Sequence, residues 1–438
     1  MLAEVGRSGP EGSVQPEAVL TTVAEALRAA AARAFPELGP YAAVMPDEDS
    51  EILVRLHPAD EAVRVSARGA RILLSARTNG GGPGYHAFLV SLMDDVAEQH
   101  GLRRLPEFEE GDDGFNDETG YFVSRDVDAL KSEMATWLAA IARHMTEDAD
   151  TDSGNLYMVS MAIGTPMPCG IEGALTPMGA VSLQWLRDTA DAAGADLLAR
   201  AAGFFPWWEP GVDEQARVGV GRVALWQFPW HPPRDEAQNA LARVALACLG
   251  PTPSSLGPGG ALTRRDVEEL AAIMATTPDS ARPPAADGFG FMRRNVKRHP
   301  FPGCTLELPG YFYEHDDEDD DGYTKTYWFD DRAVSVGSSL VSGDADDGPT
   351  PRELVERYTF PQPGRGKPSG SFAIDAPPLR GHCVLLEPAD GESFRHAHAV
   401  VERPGRSVSL TITFADPAHA SWVEAVVRAV NVHPPEEE

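Results

Sequence analysis

Apolar positions along the chain follow two different periods, and the change from one to the other marks out its organisation. In the first third they return every three or four residues. An Ala-rich stretch from Pro16 to Phe35 predicts a helix that Pro36 stops. Tyr85, Phe88, Leu89, Leu92, Met93 and Val96 form the stripe of a second helix, closed by Gly101. A third carries Val127, Leu130, Met134, Trp137, Leu138, Ile141 and Met145, with Ser124 and Asp126 before it as caps. Three β-prone runs, Glu51–Leu56, Ala62–Ser66 and Arg71–Ser75, lie between the first two helices.

The middle third mixes signals. Leu156–Ile163 and Arg217–Phe228 read as strands, and Thr176-Pro177 reads as the start of a helix. Pro232-Pro233 leads into a helix that Gly250-Pro251 closes, and Thr263 with Asp266 approaches a capping box for another. The last third alternates with period two. Seven β-prone runs fall between Thr305 and Phe414, followed by a helix at Ala418–Val430.

The pattern predicts an α+β protein of two or three domains: mixed α/β N-terminal blocks, then a C-terminal, mainly antiparallel sheet with a terminal helix. The expected blocks are residues 16–145, 156–276 and 291–432, with the second able to pack on the first. Acidic Thr146–Asn155 and Pro/Ala-rich Thr277–Gly290 read as the breaks between them. A chain of 438 residues exceeds what one hydrophobic core normally supports.

Composition narrows the function classes. With 67 acids against 37 bases the formal charge is −30, a field that repels nucleic acid and anionic membranes. Four cysteines, Cys169, Cys248, Cys304 and Cys383, stand far apart with no C-x-x-C pair, so reduced thiols in a soluble cytoplasmic protein are expected. Met1–Gln15 has no apolar h-region, and no run approaches 18 apolar residues.

Three local features could carry chemistry. Gly80, Gly81, Gly82 and Gly84 form a turn between a β-prone run and a helix, with His86 in that helix's first turn. Free N–H groups there could cradle an anion, although Pro83 removes one and no Lys-Ser/Thr follows. Asp112, Asp113, Asp117 and Glu118 are the carboxylates near enough in sequence to partner His86.

The acidic run contains Asp316, Asp317, Asp319 and Asp321, with Glu314 just before it. It matches the start of an EF-hand loop but has Trp328 where the bidentate Glu belongs. It is read as a hairpin tip between Thr305–Phe312 and Thr324–Trp328. Glu307–Asp347 holds 13 acids against Lys325 and Arg332. The third feature is His396 and His398, weak metal candidates on one face of a strand. Arg293, Arg294, Lys297 and Arg298 form the one basic cluster, read as pairing with the protein's own acids.

No complete catalytic signature is present, and no cofactor is expected. The expected function is a non-catalytic intracellular protein-interaction protein. Its acidic face would receive a basic protein, and an antitoxin- or immunity-like role is one version. The alternative is an enzyme, or a small-molecule or phosphate binder, that uses the Gly80–His86 turn.

Overall fold

A computed structural model describes residues 2–4, 16–46, 51–68, 71–104, 117–151, 157–159, 167–169, 173–250, 262–277, 282–319, 322–340, 349–359, 366–389 and 391–434. The chain is α+β, as its pattern predicts.

The first part comprises β1 (Leu2–Glu4), α1 (Pro16–Ala34), β2 (Ala43–Pro46), β3 (Ile52–Arg55), β4 (Val63–Arg68), β5 (Arg71–Ser75), α2 (Pro83–Gln99), β6 (Arg103–Arg104), α3 (Tyr121–Ser124) and α4 (Val127–Thr151). Its six strands form one sheet in the order β2-β3-β4-β5-β1-β6, with every pair antiparallel. Val54, Val63, Val65, Ile72 and Leu74 point from it into the core with Leu20, Val23 and Leu27 of α1. Because α4 runs to Thr151, it takes up much of the stretch read from sequence as a break.

The middle holds β7 (Tyr157–Met158), β8 (Met167–Pro168), β9 (Ala174–Thr176), β10 (Gly179–Val181), α5 (Leu183–Ala190), α6 (Gly194–Phe204), α7 (Glu214–Gln227), α8 (Glu236–Leu249) and α9 (Arg264–Met274). Two expectations change here. Thr176-Pro177 sits in the β9–β10 hairpin rather than a helix. Thr176 Oγ1 donates to the Gly179 carbonyl at 2.6 Å, and the helix starts later, capped by Ser182.

Arg217–Phe228 is not a strand; it lies almost wholly within α7. Val218 through Trp226 are all buried, so the run shows no period, and length and caps must arbitrate between helix and strand. Asp213 supplies the cap, accepting from the Ala216 N–H at 2.8 Å. Gly221 lets α8 approach, because a Cβ there would sit 2.6 Å from Leu249. The capping box at Thr263 and Asp266 forms as read.

The last part contains β11 (Asn295–Arg298), β12 (Cys304–Pro309), β13 (Tyr313–Asp319), β14 (Gly322–Phe329), β15 (Arg332–Leu340), α10 (Pro351–Thr359), β16 (Pro368–Ala376), β17 (Leu379–Leu386), β18 (Arg395–Arg403), β19 (Arg406–Phe414), α11 (Ala420–Arg428) and β20 (Asn431–Val432). Seven strands form an antiparallel sheet in the order β13-β14-β15-β19-β18-β17-β16, and a smaller sheet runs β20-β12-β11-β8. Alternation decides the faces. Val408, Leu410, Ile412 and Phe414 turn inward with Ala397, Ala399 and Val401, while Val384, Leu386 and Val400 meet Val355 of α10 on the other side.

The largest hydrophobic cluster draws residues from Leu20 to Val432. A second joins α2 and α4 to α5, α6 and Trp208. Among the described residues, no helix is long and apolar enough to cross a membrane.

Candidate functional site

The glycine-rich turn does cradle a carboxyl group, but that group is the protein's own. Gly80 and Gly81 donate their N–H groups to the two oxygens of Asp60 at 2.8 and 2.6 Å. Gly82 donates to the Thr78 carbonyl and Gly84 to the Trp207 carbonyl, both at 2.9 Å. The segment around Phe205–Glu209 lies directly on the turn: a Cβ at Gly82 or Gly84 would overlap Phe205 or Trp207. The Gly82 φ of +93° adds its own requirement for glycine. The N–H groups that an outside phosphate would need are therefore spent on Asp60 and on the backbone.

Burial pushes the Asp60 carboxyl up to about 7, against the pull of the two N–H donors. His57 beside it is neutral, driven down to about 3 by burial. Its Nδ1 accepts from the Ala59 N–H at 3.1 Å, which leaves the proton on Nε2.

His86 lies outside this knot. Its Nδ1 is 2.8 Å from Thr78 Oγ1, and its Nε2 is 3.5 Å from Asp117 Oδ2. Of the carboxylates near it in sequence, the structure brings up Asp117; Asp112 and Asp113 fall outside the described residues. Asp117 accepts short bonds from Thr119 Oγ1 and the Phe122 N–H, both at 2.6 Å. Burial works to raise its pKa, but the nearby His86 and hydrogen bonds from Thr119 and Phe122 prevail and hold it well below the usual carboxylate range. Its oxygens thus brace a turn as well as the imidazole.

The acidic run is not a hairpin tip between the two runs read from sequence. Its residues up to Asp319 belong to strand β13, while β12 belongs to the smaller sheet. Cross-strand pairing explains this. Tyr313 lies opposite Trp328 with ring centroids 4.5 Å apart, and Asp316 lies opposite Lys325. Lys325 Nζ reaches Glu314 at 2.6 Å and Asp316 at 3.2 Å. Among the described residues the strand pairs with β14 on one side and with no strand on the other, so Glu314, Asp316, Asp317 and Asp319 lie along a sheet edge. Asp321 lies outside the described residues.

Beside the start of this edge is a cleft of about 460 Å³ that sequence reasoning missed. It brings together His231, Arg234, Asp235, Arg298, Tyr313 and Glu314. Pro232 and Pro233 stiffen the turn between His231 and Arg234, and Asp235 caps α8 by accepting from the Gln238 N–H at 2.8 Å. His231 packs on Tyr313 with centroids 4.2 Å apart, and its Nδ1 lies 2.9 Å from the Pro232 carbonyl. A carbonyl only accepts, so the proton sits on Nδ1 and Nε2 is left as an acceptor. Burial takes this histidine down to about 4, and Arg298 and Arg234 add to that.

Arg298 is half-buried. It spends one terminal nitrogen on the Gly310 and Phe312 carbonyls at 3.0 and 3.3 Å, and reaches Glu314 at 3.4 Å. Its Nε is buried with no hydrogen-bond partner. Arg234 stays exposed, donates to the Glu314 carbonyl at 2.9 Å, and stands over the Tyr313 ring at 5.2 Å.

The basic cluster divides. Arg293 is buried against Asp266 at 3.0 Å and Glu269 at 2.6 Å, whereas Arg298 faces the cleft. The nearest sequence signal for the cleft was the run Trp230-His231-Pro232-Pro233-Arg234-Asp235, a rigid polar turn next to buried aromatics.

His396 and His398 do share a face of β18, with rings stacked 6.4 Å apart. Their neighbours are Thr413, Thr411 and Glu392 rather than a third ligand at bonding distance. Among the described residues no group of three or more His, Cys, Asp or Glu is gathered to hold a metal.

No protein-family model and no curated protein matches the chain. Among the solved structures that resemble part of it are two of known name. One is cyanobacterial PsbP (CyanoP) from Synechocystis sp. PCC 6803, at 13% identity and TM-score 0.26, over 30% of this chain and 87% of that one. The other is the Saccharomyces cerevisiae Ran-binding protein Mog1p, at 11% identity and TM-score 0.24, over 32% of this chain and 95% of that one. Likenesses this slight decide neither activity nor partner.

Proposed function

We propose that this chain is a non-catalytic protein-interaction protein whose contact surface is the acidic edge strand β13, and that its partner is a basic protein. The observation behind the reading is the placement of Glu314, Asp316, Asp317 and Asp319 along a sheet edge. A strand edge offers main-chain hydrogen bonds to an incoming extended segment. Acids spaced along it repel a second copy of the same strand and attract a basic one. Occluding a basic enzyme, as an antitoxin or immunity protein does, is one form of this role.

The test is a parallel pull-down from native lysate with two baits, the wild type and an Asp316→Asn, Asp317→Asn, Asp319→Asn variant. The expected result is a basic protein retained stoichiometrically by the wild type and lost from the variant. Equal recovery on both baits would reduce the acids to a solubility feature.

A further inference from the structure

The cleft and the acidic edge are continuous through Glu314, which lines the first and begins the second. We infer that the edge receives the extended C-terminal segment of its partner, running antiparallel to β13, with the free terminal carboxylate seated in the cleft between Arg234 and Arg298. This rests on the reading of β13 as a contact edge and adds the kind of segment and its direction.

Direction follows from the charge at each end. The cleft stands at the N-terminal end of β13, so an antiparallel strand finishes there and a parallel one begins there. A beginning strand would bring an ammonium group to two guanidinium groups. A finishing strand brings a carboxylate, for which arginine is the matched donor. Nη1 of Arg298, held by Glu314 only at the long distance of 3.4 Å, is the donor that such an oxygen would engage. The Glu314 carboxylate does not fill the role, because Lys325 holds one of its oxygens at 2.6 Å and Arg298 reaches the other only at 3.4 Å.

The edge agrees with this. The bond from Arg234 to the Glu314 carbonyl places that carbonyl on the side away from β14. Backbone alternation then turns the N–H and C=O groups of Asp316 and Glu318 outward as well. An added strand pairs there and ends where Arg234 closes the edge. His231 Nε2, an acceptor, offers a place for a backbone N–H near the chain end.

Binding to the full chain is measured by calorimetry with two probes. One is an N-acetylated Lys-Val-Lys-Val-Lys-Val peptide ending in a free carboxylate, and the other is the same peptide ending in a carboxamide. The free acid should bind about tenfold tighter, the usual worth of a charge-assisted contact. The whole-protein field opposes this, since the acid form is the less positive peptide and the formal charge is −30. Arg234→Gln and Arg298→Gln should each bring the ratio towards one. Arg298 ties down the Gly310 and Phe312 carbonyls and its variant risks misfolding, so exposed Arg234 carries the test, with retained amide binding as proof that the edge is intact. Equal affinity for both probes overturns the inference and leaves the edge reading standing. A failure of both probes to bind overturns the two together.

Discussion

Two turns in this protein lie before helices, rich in groups that could hold a ligand, and they differ in what fills them. The turn before α2 is closed. Its glycine N–H groups hold Asp60, and Phe205 and Trp207 press on it from outside. The turn before α8 is open, with His231 and Arg234 facing Arg298 across a cleft. The first carries the stronger sequence motif and the second carries almost none. Glycine in a turn reports how closely the backbone is approached, and here the approaching group is the protein itself. Arginines in the cleft come from segments far apart in the chain, and the site they form is visible only after folding.

The largest effect that sharpens this contrast is expected on the closed side. Gly84→Ala would drive a Cβ into Trp207 and the Glu209 carbonyl, where a rigid aromatic and backbone cannot give way. A loss of about 1–3 kcal/mol is expected, read from denaturant unfolding. Unchanged stability would mean that the aromatic segment does not seal the turn.

An effect no larger, and dependent on pH, is expected for Asp60→Asn. The amide keeps one acceptor and turns a donor towards a glycine N–H, at a cost of about 1–3 kcal/mol. Asp60 has its pKa raised in the folded state to about 7. The stability it contributes is therefore full below about pH 4 and lost as pH rises towards 7. His57 has its pKa lowered to about 3, so its contribution is full above about 6.5 and lost as pH falls towards 3. The two slopes oppose each other in the wild type. In Asp60→Asn, stability should rise more steeply from acid up to about pH 6.5. Identical pH profiles would mean that Asp60 is not the buried titrating group.

Much of the fold was legible in the sequence, and the exceptions have physical causes. Helices α1, α2 and α4 and the C-terminal strands each keep one face dry, so their periods are plain. Helix α7 is buried all round and has no period to read. At β13 the acids argued for a solvated tip, but the pairing of Tyr313 with Trp328 and of Asp316 with Lys325 favours a strand. At the candidate site, Glu314 and the aspartates were legible as charge, whereas their place on a sheet edge depended on the topology of seven strands. His231 and Arg234 could not be linked to Arg298 from spacing at all.

The central claim is that charge on β13 draws a basic strand to the edge, and association kinetics test it most directly. The amidated Lys-Val probe, fluorescently labelled, is mixed by stopped flow with three proteins: the wild type, the Asp316→Asn, Asp317→Asn, Asp319→Asn variant, and a control with Glu98, Glu133 and Glu214 changed to Gln elsewhere on the surface. At ~0.01 M salt the screening length is about 30 Å, and at ~1 M it is about 3 Å. The wild type and the control should associate about tenfold faster than the β13 variant at low salt, with all three rates converging at high salt. Equal rates for the wild type and the β13 variant at low salt would contradict the account.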